Sequence, residues 1–308
     1  MTGTILTVGT FDGLHRGHRA VLDRVVERAD ATGAAACLVT FEPHPLKILK
    51  PESAPARLAT ADERKEVLPL TGLDYAVFLP FTRELSLYSA EQFVLELLLE
   101  RFRLKELVIG YDHGLGRDRE GDVGILAALG RAHGFPVHVV PPVELDGRPI
   151  SATRIRGRIA AGDVEWAARA LGRPYAVSGT VVHGDGRGRD LGFPTANLRT
   201  PEGDKLLPRE GIYAVRAFGR APLGPGLLHL GPRPTFQGSL PSTELHLLHF
   251  EGELYGEVVR VEFLKRLRDV RPFSSAAELV VQMRRDREDA IRYFRDVLGL
   301  QGVGSPIS

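Results

Sequence analysis

The sequence predicts an α/β fold in two parts: a parallel sheet covered by helices, then an antiparallel β structure that ends in a long helix. Three observations lead to this prediction. In the first part, continuous apolar runs alternate with segments whose apolar residues recur at helical spacing. After about Arg173, short segments alternate apolar and polar residues between turns rich in glycine and proline. Residues 274–298 form one long amphipathic stretch, which favours a terminal helix.

The elements of the first part follow from apolar periodicity. The expected strands are residues 4–9, 34–41, 75–79, 107–110 and 136–140. The expected helices are residues 17–32, 89–102 and 123–133, the second of which opens on a capping-box pattern. Most of these strands are apolar throughout, as strands buried on both faces are. Ligands of such sheets bind beyond the carboxyl ends of the strands.

The second part reads as an antiparallel barrel or sandwich. Its expected strands are residues 174–183, 211–218, 226–230, 243–250 and 257–263. A short helix at residues 163–171 and the turn at residues 172–174 look like the joint between two domains. We therefore expect domains at residues 1–172 and 173–300 and a mobile tail at residues 301–308.

Length and composition agree with two ordinary globular domains. The chain has 308 residues and a formal net charge of +1. The residues up to Tyr175 carry a net charge of −1 and the rest +2, so composition gives no signal for nucleic acid or an acidic membrane. The single cysteine, Cys37, excludes an internal disulfide, and the N-terminus lacks the features of a signal peptide. We expect a soluble protein of the reducing cytoplasm.

The segment GTFDGLHRGH, residues 9–18, lies between the first strand and the first helix. Its glycines permit a tight turn and a close approach of a ligand to the backbone. His15 and His18 bracket the start of the helix, where free N–H groups and the helix dipole favour anions. A plain turn with surface histidines is the alternative, but the position after a buried N-terminal strand favours a phosphate site.

With these residues the chain resembles the nucleotidyltransferases that carry an HxGH signature, and more closely the bifunctional riboflavin kinase/FMN adenylyltransferase family, the bacterial FAD synthetases. The resemblance covers about residues 4–298 and includes residues 41–45 (FEPHP), 110–122 and 150–156 (ISATRIR). It implies a Rossmann-like nucleotidyltransferase domain in which His15 and His18 hold ATP phosphates and act in catalysis. It also implies that the second domain is a riboflavin kinase β-barrel.

In the first domain the resemblance implies that a phosphate oxygen of FMN attacks the α-phosphate of ATP and expels pyrophosphate. Magnesium would assist by offsetting crowded negative charge. The residues expected to bind nucleotide or phosphate there are Gly9, Phe11, Asp12, Gly13, Gly17, Ser151, Thr153, Arg154 and Arg156. Hydroxyl and guanidinium groups are good phosphate donors.

His44, in the FEPHP segment, and Asp112 are expected to contact the flavin. The loop that holds Asp112 departs from the family pattern Gly-Phe-Asp-Phe-Arg-Phe-Gly. It reads Gly-Tyr-Asp-His-Gly-Leu-Gly, so that His113, Gly114 and Leu115 replace two aromatic residues and an arginine. This departure leaves open an adenylyltransferase half that is impaired or redirected.

The segment GTVVHGDGRGRDLGFPTAN, residues 179–197, carries the second signature. A glycine-rich loop after a strand can turn its N–H groups toward phosphates. Its expected phosphate-binding residues are Gly184, Gly186, Arg187, Gly188 and Gly192. The resemblance implies that Thr195 and Asn197 ligate magnesium and that Phe193 contacts the flavin.

Glu244 lies on an expected strand and matches the family's catalytic glutamate, which takes the proton of the ribityl 5′-hydroxyl. Alternation puts Glu244 on one strand face with His246, which makes a polar site plausible there. Arg268 belongs to a segment that the resemblance places near the flavin, so it is a further flavin-binding candidate.

The leading hypothesis is an enzyme that converts riboflavin to FMN and FMN to FAD, with Mg²⁺ as cofactor and ATP, riboflavin and FMN as its partners. A kinase with a weakened adenylyltransferase half is one alternative. A flavin-binding regulator without catalysis is another, although it predicts loss of Glu244, Thr195, Asn197 or His18, and all are present. Near-neutral charge argues against nucleic acid, and no apolar run is long enough to span a membrane.

Overall fold

The computed structural model describes residues 3–184, 188, 192–200, 205–232 and 242–299. The expected tail at residues 301–308 lies outside these ranges. The chain divides into two compact units between Arg154 and Ile155. The domain limits at residues 172 and 173, taken from the sequence, stay a prediction. No helix in the described ranges is long and apolar enough to cross a bilayer.

The first unit contains a parallel sheet of five strands, as the sequence predicts, and the structure shows their order to be β3-β2-β1-β4-β5. Its strands are β1 (Thr4–Val8), β2 (Ala35–Glu42), β3 (Tyr75–Pro80), β4 (Leu104–Gly110) and β5 (Val137–Val140). The central strand β1 pairs with β2 on one side and with β4 on the other. The chain order therefore reverses at β1, and the crevice at its carboxyl end is where such sheets bind ligands.

Helices and short turns connect these strands. The helices are α1 (Arg16–Thr32), α2 (Pro45–Leu49), α3 (Ala61–Val67), α4 (Arg83–Ser86), α5 (Ala90–Gln92), α6 (Val123–His133) and α7 (Ala152–Ala160). A π-helix, Phe93–Arg101, continues α5, and a small hairpin, β6 (Glu144–Leu145) with β7 (Arg148–Pro149), precedes α7. The sequence predicts α6 to the residue, whereas α2, α3, α4 and the hairpin are too short for a periodicity argument.

Side chains alternate between the two faces of the sheet, and each face has its own core. Ile5 of β1 packs with Leu22 and Val25 of α1. Its neighbour Leu6 points to the opposite face and joins the cluster that includes Leu98 of the π-helix. Both faces are buried, which explains why the strands read as continuous apolar runs.

The second unit is a closed barrel of six strands in the order β10-β11-β12-β9-β8-β13. The strands are β8 (Tyr175–Val182), β9 (Ala196–Arg199), β10 (Gly211–Phe218), β11 (Pro222–Gly231), β12 (Ser242–Leu247) and β13 (Val258–Arg268). Because the sheet closes on itself, the second unit is a barrel and not a sandwich, the two folds that the sequence left open. The sequence reasoning missed β9, whose four residues follow the Phe-Pro-Thr segment and are too few to show alternation.

Among the described residues, α8 (Val164–Leu171) precedes β8 and α9 (Ala276–Leu298) follows β13. The interior is filled by side chains such as Tyr213 and Phe263, whose ring centroids lie 5.1 Å apart. A cavity of about 10 Å³, close to the space that one water needs, is lined by Val177, Leu228 and Phe263 in the described part of the barrel. Phe294 of α9 packs on the outside of the barrel against Ile212.

Candidate functional site

In the tight turn after β1, the Phe11 ring packs closely against the backbone of Gly9. Phe11 is buried and has a left-handed backbone with φ +45°, which is rare for a residue with a side chain. A Cβ on Gly9 would lie 3.0 Å from the Phe11 ring, and Gly13 has φ +77°. These two glycines therefore allow the sharp turn that leads from β1 to His15.

His15 and His18 form a stacked pair at the start of α1. Their ring centroids lie 3.6 Å apart, and His15 Nδ1 accepts a hydrogen bond from His18 N at 3.2 Å. In the described part of the chain, His18 Nδ1 is buried and has no hydrogen-bond partner. Burial, aided by the nearby His15, holds the pKa of His18 well below its usual value. His18 is therefore a neutral imidazole at pH 7, able to hydrogen-bond an anion without carrying a charge.

The start of α7 lies beside the start of α1. A Cβ built on Gly17 would lie 3.8 Å from the carbonyl oxygen of Ile150. Ser151 Oγ accepts from Arg154 N at 3.3 Å and so caps α7. The structure thus brings together the HxGH turn and the ISATRIR segment, as a shared phosphate site requires.

Arg154 makes several bonds to backbone carbonyls. Its Nη1 donates to Leu145 O at 3.0 Å and to Arg148 O at 2.9 Å, both in the β6–β7 hairpin. Of the other expected phosphate ligands here, Thr153 is exposed and Arg156 is half-buried. Arg154 therefore holds the hairpin in place, and phosphate contacts by these residues remain predictions.

Asp12, expected to bind nucleotide, is buried and accepts hydrogen bonds from the backbone. Leu58 N donates to both of its carboxylate oxygens, at 3.0 and 3.1 Å, and Ala59 N donates to Oδ1 at 3.1 Å. Asp12 thus docks the segment that precedes α3 onto the turn after β1. A direct contact between Asp12 and a nucleotide stays a prediction.

His44 follows β2, the strand next to β1, and so lies at the same end of the sheet as the HxGH turn. Its Nδ1 accepts from Leu46 N at 3.2 Å and caps α2, and the preceding Glu42–Pro43 peptide is cis. A rigid cap presents the ring at this edge, which agrees with the expected flavin contact without testing it.

The loop that departs from the family pattern is closed on itself. Leu115 is buried in the core, and its backbone bonds Gly121 in both directions at 3.0 and 2.8 Å. Asp112, the expected flavin ligand, is exposed. Burial, with a smaller contribution from the charge of Arg119, lowers the pKa of His113 to about 4. Leu115 therefore serves packing, and His113 adds a neutral imidazole where the family has an aromatic ring.

The glycine-rich loop of the second unit approaches the expected metal ligands closely. A Cβ on Gly184 would lie 2.0 Å from the Asn197 side-chain nitrogen, and one on Gly188 would lie 2.9 Å from Thr195 Oγ1. Phe193 N also donates to Gly188 O at 2.8 Å. A Cβ on Gly188 would also lie 2.5 Å from the Phe193 carbonyl oxygen, so only glycine fits there, whereas a Cβ on Gly184 would displace the Asn197 side chain. Gly192 and the buried Phe193 lie in the described ranges, whereas Gly186 and Arg187 lie outside them.

Three neighbouring strands place polar side chains in one row. Glu244 of β12 is paired with Asn197 of β9 on one side and with His229 of β11 on the other. Directly paired residues share a face of the sheet. Ser242 Oγ donates to Glu244 Oε1 at 2.7 Å, and His229 Nδ1 lies 4.0 Å from the same oxygen. The expected general base and an expected metal ligand are therefore neighbours.

The donor set at this row suits a hard cation that shares its ligands with phosphate and water. Thr195 offers a hydroxyl oxygen, Asn197 an amide oxygen and Glu244 a carboxylate. Among the described residues no group of three or more His, Cys, Asp or Glu side chains could hold a metal ion. The residues thus fit a magnesium ion carried with a nucleotide better than a metal enclosed by protein ligands.

The guanidinium group of Arg268 links β13 to α9. Its Nε and Nη2 donate to the two carboxylate oxygens of the buried Asp286 of α9, at 2.7 and 2.6 Å. Nη1 donates to Asp269 O at 2.9 Å, and Gln282 Nε2 donates to Asp286 at 2.8 Å. Arg268 ties β13 to α9, and its expected contact with flavin stays a prediction.

The sequence reasoning did not identify several residues that the structure brings to these sites. His229 joins the Glu244 row through strand register, which no local pattern reveals. His246 contacts the Phe-Pro-Thr segment, since its Nδ1 lies 2.9 Å from Pro194 O. Arg57 and Arg64 bond Glu42 beside the first site. The capping box of Thr60 and Glu63 marks the start of α3 but gives no sign of this ion pairing.

A parallel sheet whose HxGH turn lies beside a second helix start, together with a barrel that pairs Glu244 with Asn197, is the arrangement expected of a transferase that acts on nucleotide substrates. The family model for FAD synthetase matches residues 1–154, and that for riboflavin kinase matches residues 171–294. Taken with the relatives described next, these matches show that the chain belongs to the family of bifunctional riboflavin kinase/FMN adenylyltransferases.

The curated relatives match over nearly their whole length. The bifunctional riboflavin kinase/FMN adenylyltransferase of Escherichia coli (strain K12) is 38% identical over 294 residues, which are 95% of this chain and 93% of that protein. The enzyme of the same name from Pseudomonas fluorescens is 39% identical, with coverage of 92% and 91%. A solved Streptococcus pneumoniae structure, titled a macrolide-efflux protein, superposes with a TM-score of 0.84, 30% identity and 94% coverage of each chain.

Proposed function

We propose that this chain makes FMN from riboflavin and FAD from FMN, using ATP in both steps. The second unit transfers the γ-phosphoryl group of ATP to the ribityl 5′-hydroxyl and leaves ADP. The first unit transfers AMP from ATP to FMN and releases pyrophosphate. The observation that carries the proposal is that each unit gathers its own set of expected residues at one place, around His15 and His18 in one and around Glu244 in the other.

In the kinase step Glu244 is the general base. The Ser242 hydroxyl holds the carboxylate in orientation through its 2.7 Å bond to Oε1. The carboxylate takes the proton of the 5′-hydroxyl as that oxygen forms its bond to the γ-phosphorus and the bond to the ADP oxygen breaks. Thr195 and Asn197 would hold Mg²⁺, which supplies positive charge to the phosphates. The glycine backbone at residues 184 and 188 keeps the loop close to these two side chains.

In the adenylyltransferase step no side chain needs to move a proton, because the attacking group is already a phosphate oxygen. The work is positioning and stabilisation of negative charge. The starts of α1 and α7 lie side by side, and the imidazoles of His15 and His18 add hydrogen-bonding groups there. A Cβ on Gly17 would lie 3.2 Å from the His15 ring, so glycine at this position leaves room for that imidazole.

Two further expectations belong to this proposal. We expect Mg²⁺ to be the divalent ion of both steps, because oxygen ligands and phosphates suit it. We also expect the protein to work in a reducing cytoplasm. Its one cysteine is buried, and burial raises the pKa of the Cys37 thiol to about 11, so that this thiol is not a reactive thiolate.

A second candidate function is a riboflavin kinase whose adenylyltransferase half is weakened or redirected. The altered loop favours it, because His113 stands where the family has an aromatic ring. The buried position of Leu115 argues that the same loop is still well packed.

One incubation separates these possibilities. The purified chain is mixed with riboflavin, ATP and Mg²⁺, and the flavins are separated by chromatography with fluorescence detection. We expect both FMN and FAD, and we expect neither when EDTA removes the divalent ion. FMN without FAD would favour the kinase alone, and the absence of both products in the presence of Mg²⁺ would refute the proposed function.

A further inference from the structure

A buried ion network lies directly beside the first site. Arg57 forms a two-pronged bond with Glu42, with Nη1 to Oε2 at 2.9 Å and Nη2 to Oε1 at 2.7 Å. Arg64 Nη2 donates to the same Oε2 at 2.5 Å. The side chains of Arg57 and Arg64 are 8% and 5% exposed. Glu42 is the last residue of β2 and immediately precedes the segment that holds His44.

The same network reaches the turn after β1. Arg64 Nη1 donates to Thr10 O and to Thr40 Oγ1, both at 3.0 Å, and Thr40 Oγ1 donates to Thr10 O at 3.1 Å. Thr10 precedes Phe11, where the turn toward His15 begins. The network therefore joins the end of β2, the turn after β1 and the start of α3 through charged hydrogen bonds, which are stronger than neutral ones.

Asp12 completes the connection from the other side. Its carboxylate holds the backbone of Leu58 and Ala59, the residues that follow Arg57. Both arginines bond Glu42, and the charge of Asp12 also acts on Arg64. Burial disfavours the charged form of Glu42, but the hydrogen bonds and charges of Arg57 and Arg64 outweigh it and lower the pKa of Glu42. Neutralising Glu42 would leave two buried guanidinium groups short of countercharge.

We propose that Glu42, Arg57 and Arg64 are positioning residues for adenylyl transfer: they set the turn that carries His15 and His18 against the segment that carries His44, without touching the substrate. The proposal rests on the proposed function of the first unit. It requires that loss of the network displace site residues by a fraction of an ångström to an ångström, a change that costs about 10²-fold in rate when reacting groups must align.

The chain offers a matched control in the same sheet. Glu106 of β4 also takes a two-pronged bond from an arginine, Arg28, with both contacts at 2.8 Å, and its side chain is 9% exposed against 32% for Glu42. His138 Nε2 adds a contact at 2.7 Å. Glu106 pairs with Ile5 near the amino end of β1, at the end of the sheet away from the HxGH turn. The two networks share their chemistry and differ in their distance from the site.

The test compares Glu42→Gln with Glu106→Gln in the full-length chain. The rates of FAD formation from FMN and of FMN formation from riboflavin are both measured. Because the kinase lies on the same polypeptide, its rate is an internal control for the concentration of intact protein. We expect Glu42→Gln to lower kcat for FAD formation about 10–100-fold, with a smaller change in KM for ATP, and to leave FMN formation within about twofold. Glu106→Gln should leave both activities within about twofold of wild type.

A conservative pair of variants covers the case in which Glu42→Gln unfolds the first unit. Arg57→Lys keeps the positive charge but cannot form the two-pronged bond to Glu42. Arg57→Ala removes both the charge and the bond. The proposal expects the order wild type, Arg57→Lys, Arg57→Ala in kcat for FAD formation, measured on protein that is folded by circular dichroism. Equal loss of activity in the Glu42 and Glu106 variants, or unchanged kcat in folded Glu42 and Arg57 variants, would overturn the inference. A wild-type chain that makes no FAD would instead refute the proposed function of this unit.

Discussion

At the scale of single residues, the first unit keeps two imidazoles neutral by burying them. Burial lowers the pKa of both His18 and His113, and in each case a nearby positive or ionisable group adds to the effect. A neutral ring can give and accept hydrogen bonds, but an unfolded chain protonates the same ring near its ordinary value of 6.5. The two histidines therefore link the stability of the unit to pH.

The sign of this linkage follows from proton binding. In the unfolded chain His113 takes up its proton near pH 6.5, but in the folded chain only near pH 4. Between these values the unfolded state binds more protons, so stability falls as pH falls. We expect His113→Phe to reduce this loss by about 1–2 kcal/mol of unfolding free energy between pH 7 and pH 5.

The measurement is urea denaturation of the wild type and of His113→Phe at pH 5, 6 and 7, followed by circular dichroism. His133→Gln is the control, because His133 is exposed at the end of α6. It should keep the pH slope of the wild type. An unchanged slope in His113→Phe would mean that His113 is not held neutral in the folded protein.

The site residues that sequence alone reveals are those in short contiguous motifs. His15 and His18 lie in one turn, and Thr195 and Asn197 lie in one segment, so local spacing and a family resemblance suffice. His229 reaches its site through strand register, and Arg57 and Arg64 reach theirs because α3 and the segment before it pack against the end of β2; both depend on contacts that are distant in sequence. The contacts of Asp12 and Arg268 were equally invisible, since a carboxylate or guanidinium looks the same in sequence whether it binds a ligand or a neighbouring element.

At the scale of elements, long periodic segments are well predicted and short ones are not. The limits expected for α1 and α6 agree with the structure to within one residue. The expected helix at residues 89–102 is instead a short α-helix that continues as a π-helix over Phe93–Arg101, with Phe102 N bonded to Leu97 O. Its apolar run is too short to distinguish the two helical periods, since buried Phe93, Val94 and Leu98 fit either.

An ion pair adds to the apolar packing of Phe294 that attaches the terminal helix α9 to the barrel. Asp286 is buried on the barrel side of α9 and bonds Arg268 at the end of β13 through both carboxylate oxygens. We expect Asp286→Asn to lower the free energy of unfolding by about 1.5–3 kcal/mol, the range for hydrogen bonds to charged groups. Amide hydrogen exchange in α9 should become faster as well.

Urea denaturation and hydrogen exchange check this expectation. Asp289→Asn is the control on the same helix, because Asp289 is 56% exposed and its pair with Arg292 is long at 3.4 Å. Exposed pairs contribute little, so this variant should stay within about 0.5 kcal/mol of wild type. If both variants behave alike, Arg268 does not anchor α9.

At the scale of the whole molecule, each unit has its own sheet, its own core and its own proposed chemistry. We therefore expect Glu244→Ala to lower FMN formation about 10²–10⁴-fold while FAD formation from added FMN persists. His18→Ala should lower FAD formation about 10²-fold and leave FMN formation intact. A mixture of the two variants should then make FAD from riboflavin, because FMN released by one can be used by the other.

Chromatography of the flavins over time measures the formation of FMN and of FAD by each variant alone and by the mixture. Wild type at the same total concentration is the control. Equal loss of both activities in either single variant would contradict the division of labour. Single variants that behave as expected but fail to complement each other would show that FMN does not pass freely through solution.

The strand order of the barrel has a consequence for how the chain is made. Its closing pair joins β8 with β13, the first and the last barrel strands to leave the ribosome. The five strands of the first unit, by contrast, all lie within the first 140 residues. Long-range pairing of this kind makes folding slow, whereas domains near the N-terminus generally fold first during synthesis. The adenylyltransferase unit can therefore finish folding while the barrel is still an open ribbon awaiting residues 258–268.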